Sequence, residues 1–186
     1  GGVPMTLARW PNAGYVRHYQ PPAGETGLLY RGDRPRNWRK PGEGWVLCWE
    51  TDWHISRARI DSIDPDGRHL RTDPPYVPRY PWPENGRCRF YNILEELDEP
   101  GEYLIDRHAG RLYLWPPKEI EPGDLWLSLL EQPLIRLQEA EHIRIEGISL
   151  QNGLASALLV RGGADVHVIG CTVTGFAGHG IEIDGG

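Results

Sequence analysis

The residues best equipped for chemistry stand together in EELDEPGEYLIDRHAGRLYLWPP, residues 95–117. Six carboxylates (Glu95, Glu96, Asp98, Glu99, Glu102, Asp106) lie beside Tyr103, Tyr113 and Trp115. That is the equipment of a sugar-cleaving site. Glycoside hydrolysis needs two carboxyl groups flanking one bond, about 5–5.5 Å apart for retention or about 6.5–9.5 Å for inversion. The spacing argues for scaffold instead. Most of the acids surround Pro100-Gly101, a turn where charge is solvated. Tyr103 and Ile105 then alternate with Leu104 and Asp106. After the Arg107-His108-Ala109-Gly110 turn, Leu112 and Leu114 alternate with Tyr113 and Trp115. This pattern predicts a hairpin with both faces largely covered. Asp106 is expected to accept a hydrogen bond from turn backbone rather than act as a base.

Other candidates are scattered. Asn152 and His179 fall in turns after apolar runs and could line a groove, as could Asp184, which points away from its apolar neighbour Ile183 with Glu182. Asn152, His179 and Asp184 are therefore the expected substrate-binding residues, and no catalytic residue is assigned. The run YRGDRPRNWRK holds Arg31, Arg34, Arg36, Arg39 and Lys40. It reads either as a solvated basic loop or as a surface that attracts a uronate chain. Trp10, before a proline and hence extended, is expected to anchor a domain interface. With only two Phe and one Met, the eight Trp are expected to serve mostly as core. Asp61, Asp64 and Asp66 lack calcium-loop spacing, so neither a metal nor a cofactor is expected. Cys48, Cys88 and Cys171 lack metal-ligand spacing. Cys171 reads as a small core residue, and whether Cys48 and Cys88 pair is left open.

Composition narrows the classes. The net charge of −6 argues against an electrostatic nucleic-acid binder, which needs a basic face to neutralise phosphates. No apolar run approaches the ~20 residues of a membrane span. The chain opens on Gly1-Gly2-Val3-Pro4 and stops on Asp184-Gly185-Gly186 in mid-pattern. This is read as an internal fragment that continues past Gly186, with any export leader lying outside it.

Two grammars divide the 186 residues. Residues 1–118 are rich in Pro, Trp and Arg, with turns at Asn12-Ala13-Gly14, Pro41-Gly42-Glu43-Gly44, Asp64-Pro65-Asp66-Gly67 and Glu84-Asn85-Gly86. Residues 45–49 (WVLCW) predict a strand. Five prolines (Pro74, Pro75, Pro78, Pro81, Pro83) exclude residues 71–83 from helix or central strand. Residues 119–186 repeat. Ile143, Gly147, Leu150, Leu158, Val160 and Gly162 each meet an apolar or Gly partner 23 residues later: Val166, Gly170, Val173, Ile181, Ile183 and Gly185. Ile135 and Leu137 fall 23 before Leu158 and Val160; Ile120, Leu125 and Leu127 fall 23 before Ile143, Ile148 and Leu150. A fixed period with three short strands predicts stacked coils. The expected fold is all-β: an irregular β-rich insertion domain (1–118) packed on the first coils of a right-handed parallel β-helix (119–186).

Four long motifs also resemble a known family: PMTLARWPNAGY (4–15), GWVLCWETDW (44–53), IDSID (60–64) and residues 89–117. Followed by the repeat, they resemble the insertion domain and adjoining helix of glycoside hydrolase family 141, bacterial β-helix proteins acting on plant or algal polysaccharides. The resemblance implies a secreted, extracellular or periplasmic, monomeric protein whose partner is a polysaccharide or oligosaccharide. It also implies catalytic carboxylates on later coils, so none is transferred to this chain. A polysaccharide lyase on the same fold, or a non-catalytic sugar-binding or surface module, are the alternatives.

Overall fold

The computed structural model describes residues 3–21, 23, 25–39, 41–64, 66, 68–80 and 86–185. Of the residues named above, Gly1, Gly2, Lys40, Pro65, Gly67, Pro81, Pro83, Glu84, Asn85 and Gly186 lie outside them. The protein is all-β, its helix confined among the described residues to 3-10 turns at Pro35–Asn37, Pro41–Glu43 and Leu94–Glu96. No helix among them is long and apolar enough to cross a membrane. Two compact units form, one of Met5–Ile120 and one holding Glu121–Gly186.

The first unit holds β1 (Thr6–Leu7), β2 (Arg9–Trp10), β3 (Val16–Tyr19), β4 (Leu28–Tyr30), β5 (Trp45–Trp49), β6 (Ile55–Asp64), β7 (His69–Asp73), β8 (Gly86–Tyr91), β9 (Glu102–Asp106) and β10 (Arg111–Trp115). Here the expectation of irregular structure fails. Strands β8, β3, β4, β7, β6 and β5 pair antiparallel in that order, and β5 pairs back onto β8, so six strands close into a barrel. Closure removes the exposed strand edges that short, Pro-flanked strands would otherwise present. Residues 71–73, expected outside any central strand, end β7 between β4 and β6; the proline run begins only after them.

Alternation sorts the barrel's side chains. Val46, Cys48, Ala58, Ile60, Leu70, Cys88, Phe90, Leu28 and Tyr30 point inward and are buried. Trp10 packs on this core: its ring stacks on Phe90 at 5.6 Å and meets Trp38 edge-on at 6.1 Å. Most tryptophans do not follow the core expectation. Trp38 is buried, but Trp45 and Trp49 face outward half-buried, and Trp53, Trp115 and Trp126 are exposed. They sit at outward strand positions or in connections, where alternation overrides their hydrophobicity.

Gly27 is a strict requirement of the barrel. Its φ is +98°, and a Cβ there would lie 2.1 Å from the Leu70 carbonyl oxygen across β4 and β7. Outside the barrel, β9 and β10 form the expected hairpin, and β1 joins β9 in parallel. Its outer strand is less covered than expected, since Leu112 and Trp115 remain exposed.

The second unit holds β11 (Ile135–Gln138), β12 (Glu141–Glu146), β13 (Ser149–Gly153), β14 (Leu158–Arg161), β15 (Ala164–Ile169), β16 (Thr172–Phe176) and β17 (Ile181–Asp184). The 23-residue offset reappears as strand pairing. β11 pairs with β14, β14 with β17, β12 with β15 and β13 with β16, all parallel and all in register at that offset. Left-handed backbone recurs at the same offset: Glu139, Gly162 and Gly185; His142 and Asp165; Gly147 and Gly170; Asn152 and Gly175. Residues Ile120, Leu125 and Leu127 do not continue the ladders. They form no strand, and all three are exposed. Pro122-Gly123 lies within this segment and Pro133 follows it, each interrupting a run of donors.

Cys48 and Cys88 are free thiols that face each other as register partners in β5 and β8. Burial pushes both thiols up, Cys48 further raised by Glu50 and Cys88 by Cys48. Cys171 is only half-buried. A thiol reagent is expected to label Cys171 in the native protein and Cys48 and Cys88 only on unfolding, as mass-mapped peptides will report. Gly27→Ala is expected to cost about 2 kcal/mol or more in urea unfolding. Gly14→Ala should cost less, because nothing lies within 4 Å of a Cβ at Gly14.

Candidate functional site

The three residues named from sequence are not brought together. Asn152 lies within β13, not in a turn, in left-handed conformation with φ +61°. Its Oδ1 occupies the place that a Cβ on Gly175 would take. Asp184 pairs with Arg161 Nε at 3.6 Å along the β14–β17 ladder. His179 precedes β17, and its carbonyl accepts from the Ala157 amide at 3.1 Å. Among the described residues no hydrogen bond or ion pair joins any two of them.

The acids of residues 95–106 act as anchors, and the solvated-turn reading fails for the two that are buried. Glu96, 1% exposed, accepts from Arg34 Nε at 2.8 Å, Arg34 NH2 at 2.7 Å and Trp38 Nε1 at 2.6 Å. Asp98 takes a further bond from Arg34 at 2.7 Å, and Glu95 accepts the Arg39 amide at 2.9 Å. Three cations of the basic run are thereby committed: Arg34 to these acids, Arg36 to Asp33 at 3.3 Å, and Arg31 over the Tyr19 ring. Glu102 is buried and accepts the amides of Asp98 and Glu99. Its carboxyl is raised by burial, against those two amides. Asp106 accepts the Ala109 amide at 2.8 Å, as a turn residue does.

A third buried carboxylate, Glu50, follows β5. It accepts from Ser56 Oγ at 2.6 Å, Tyr76 OH at 2.8 Å and the amides of Arg79 and Tyr80 at 2.8 and 3.0 Å. Burial alone would push its carboxyl up. The donors from Ser56, Tyr76, Tyr80 and Arg79 outweigh burial and hold it below the usual carboxylate range. Its oxygens are occupied, so it fixes the connection after β7 rather than transferring protons. Inside the barrel, burial lowers His18 to about 4, against the pull of Glu50. Its ring lies where a Cβ on Gly86 would be.

The outward face of β3, β8, β5 and β6 gathers what chemistry the barrel displays. Register places Trp49 beside Arg87 and Ile55, Leu47 beside Arg89 and Arg57, and Trp45 beside Tyr91 and Arg59; Arg17 sits beside Arg87. Arg57 lies over the Trp45 ring at 5.4 Å, and Arg87 and Arg89 lie over Tyr15 at 5.4 and 5.1 Å. Tyr15 in turn meets Trp49 edge-on at 4.5 Å. Two open clefts form on this face. One, of about 540 Å³, is lined by Trp45, Arg57, Arg59, Asp73, Pro74, Tyr76 and neighbours. The other, of about 560 Å³, is lined by Arg17, Trp49, Glu50, Thr51, Asp52, Trp53 and Arg87. Asp73 bonds Arg59 at 2.9 Å and Asp52 bonds Arg87 at 2.8 Å.

Sequence reasoning missed this face. The i, i+2 spacing of Trp45, Leu47 and Trp49, of Arg57 and Arg59, and of Arg87 and Arg89 carried its signal: each set lies on one side of a strand. It also missed a second grouping. His142 Nδ1 meets Asp165 Oδ2 at 2.5 Å, and His167 Nε2 meets Asp165 Oδ1 at 2.7 Å, on exposed positions of β12 and β15. His142, then His167, holds the Asp165 carboxyl below its usual range. The 23-residue offset, applied to polar residues, pairs His142 with Asp165. Among the described residues no group of three or more His, Cys, Asp or Glu is placed to hold a metal ion.

Comparison with protein-family models, curated proteins and solved structures finds no match to this chain.

The buried groups set an acid limit. His18 takes up its proton more readily unfolded, near 6.5, than folded, near 4. Glu50 is likewise held deprotonated by the fold, in its case as the charged form. Both contributions are present at neutral pH and lost as pH falls, His18 first from about pH 6.5 downward. Glu50→Gln is expected to cost roughly 2 kcal/mol at pH 7 and to flatten the acid limb, measured by urea unfolding across pH.

Proposed function

We propose that this chain is part of an exported, extracellular or periplasmic, polysaccharide-degrading protein, resembling glycoside hydrolase family 141. In this reading the second unit begins a right-handed parallel β-helix, and the barrel is an insertion domain that holds the sugar chain. The observation that carries the reading is the pair of clefts on one barrel face, each with an outward tryptophan and two arginines. Sugar rings present apolar C–H faces to aromatics and hydroxyls to planar polar groups, and sites of this composition suit them. In-register parallel pairing at 23 residues, with left-handed positions recurring at the same spacing, supports the β-helix. Fold alone does not fix activity.

The state of Glu50 favours a second reading for the barrel itself, a non-catalytic binding module. Its oxygens already accept four donors and its proton is held off, so it is a poor general acid. Asp52 beside it is exposed and paired with Arg87 at 2.8 Å. On either reading the barrel binds and the bond is cut elsewhere.

Trp45→Ala and Trp49→Ala should each weaken retention on a polysaccharide affinity gel by about tenfold, with thermal unfolding little changed. Failure of the unmodified chain to be retained by any of a panel of neutral and acidic polysaccharides would remove the reading.

A further inference from the structure

The two clefts share one sheet face, and that face is cationic although the chain carries a net charge of −6. Five arginines (Arg17, Arg57, Arg59, Arg87, Arg89) point outward from three strands, β3, β6 and β8, with β5 between β6 and β8. Among the described residues, Asp73 bonds Arg59 and Asp52 bonds Arg87, one at each cleft. The third acid of the clefts, Glu50, is buried and saturated by its own donors. Arg89 donates to the Gly14 carbonyl, and Arg57 has the Trp45 ring and no carboxylate partner among the described residues.

We propose that this face binds a uronate-bearing polysaccharide, a deeper form of the carbohydrate reading above and resting on it. The guanidinium is planar and matches a carboxylate with two parallel bonds. Arg57 and Arg59 in one cleft, and Arg17 and Arg87 in the other, supply two such positions. Trp45 and Trp49 stand four residues apart on one side of β5, roughly 13 Å along the strand. A chain laid along β5 therefore meets a ring and a cation pair, then a ring and a cation pair again. Asp52 and Asp73 face the hydroxyls between the carboxylates and accept from them.

Single-stranded nucleic acid fits less well. Asp52 and Asp73 repel phosphates and uronate carboxylates alike, but a uronate chain brings ring hydroxyls for them to accept from, and a DNA strand does not.

The test is affinity electrophoresis and calorimetry of the full chain with polygalacturonate, its methyl ester, a neutral xylan and a single-stranded oligonucleotide. Polygalacturonate is expected to bind best, with affinity falling steeply as salt rises and on esterification. Arg57→Ala, at an exposed position, should weaken it about tenfold, and Arg57→Lys should restore only part, with circular dichroism showing both variants folded. Equal binding of the ester or the xylan overturns the uronate inference and leaves the carbohydrate reading standing. Binding of no polysaccharide overturns both. An oligonucleotide bound as tightly as polygalacturonate, or an Arg57→Ala protein with unchanged affinity, overturns the inference alone.

Discussion

The ladder between β5 and β8 is the constraint on which the barrel depends. It is the pairing that turns an open row of strands into a closed one, and its register is set over five residue pairs. Side chains alternate across a strand, so one register decides two surfaces together. It sends Val46, Cys48, Cys88 and Phe90 inward, where they are buried. The same choice sends Trp45, Trp49, Arg87 and Arg89 outward. A slip by one residue would put arginines in the core and lose the clefts. Core and candidate site are two faces of a single pairing decision.

Two buried carboxylates hold the connections that short strands leave long. Glu96 receives Arg34 and Trp38 and ties the 3-10 turn at Pro35–Asn37 to the one at Leu94–Glu96. Glu50 receives Ser56, Tyr76 and two amides and ties the Pro-rich connection after β7 to the end of β5. A charge in such surroundings is tolerable only when every lone pair is engaged, and here the donors are supplied. Loop segments with few apolar residues of their own thus gain a fixed position from one acid each. The wall of the first cleft includes Pro74, Pro75 and Tyr76, so the Glu50 network also shapes the candidate site.

Net charge was a poor guide to local charge. The acids are spent in pairs with the arginines of residues 31–39 and in turn caps, while the arginines of β3, β6 and β8 are spaced by two and share one side. In the run that looks basic in sequence, Arg34 and Arg36 are paired with acids, and the face that is cationic in space is spread over residues 17–89. Whether carbohydrate is its ligand is a matter of chemistry at the face, where planar cations, aromatic rings and two acids alternate. The His142–Asp165–His167 grouping shows the same lesson on the other unit: stacked strands join residues that the linear order separates.

The sequence by itself determined the all-β class, the strand at Trp45–Trp49, the hairpin of β9 and β10, and the 23-residue offset that the parallel pairs follow. These are legible because each rests on a local or constant spacing: alternation within a strand, a turn between neighbours, a fixed stacking distance. Tertiary structure alone decided that β5 meets β8 and that β3 reaches β8. It also decided that Glu96 meets Arg34 and that Trp10 belongs to the barrel core. Those contacts join residues far apart in the chain at separations that do not repeat, so no periodicity announces them. It decided too that Ile120, Leu125 and Leu127 stay outside the ladders, despite matching the repeat, because apolar spacing permits a strand whereas only a hydrogen-bonded neighbour makes one.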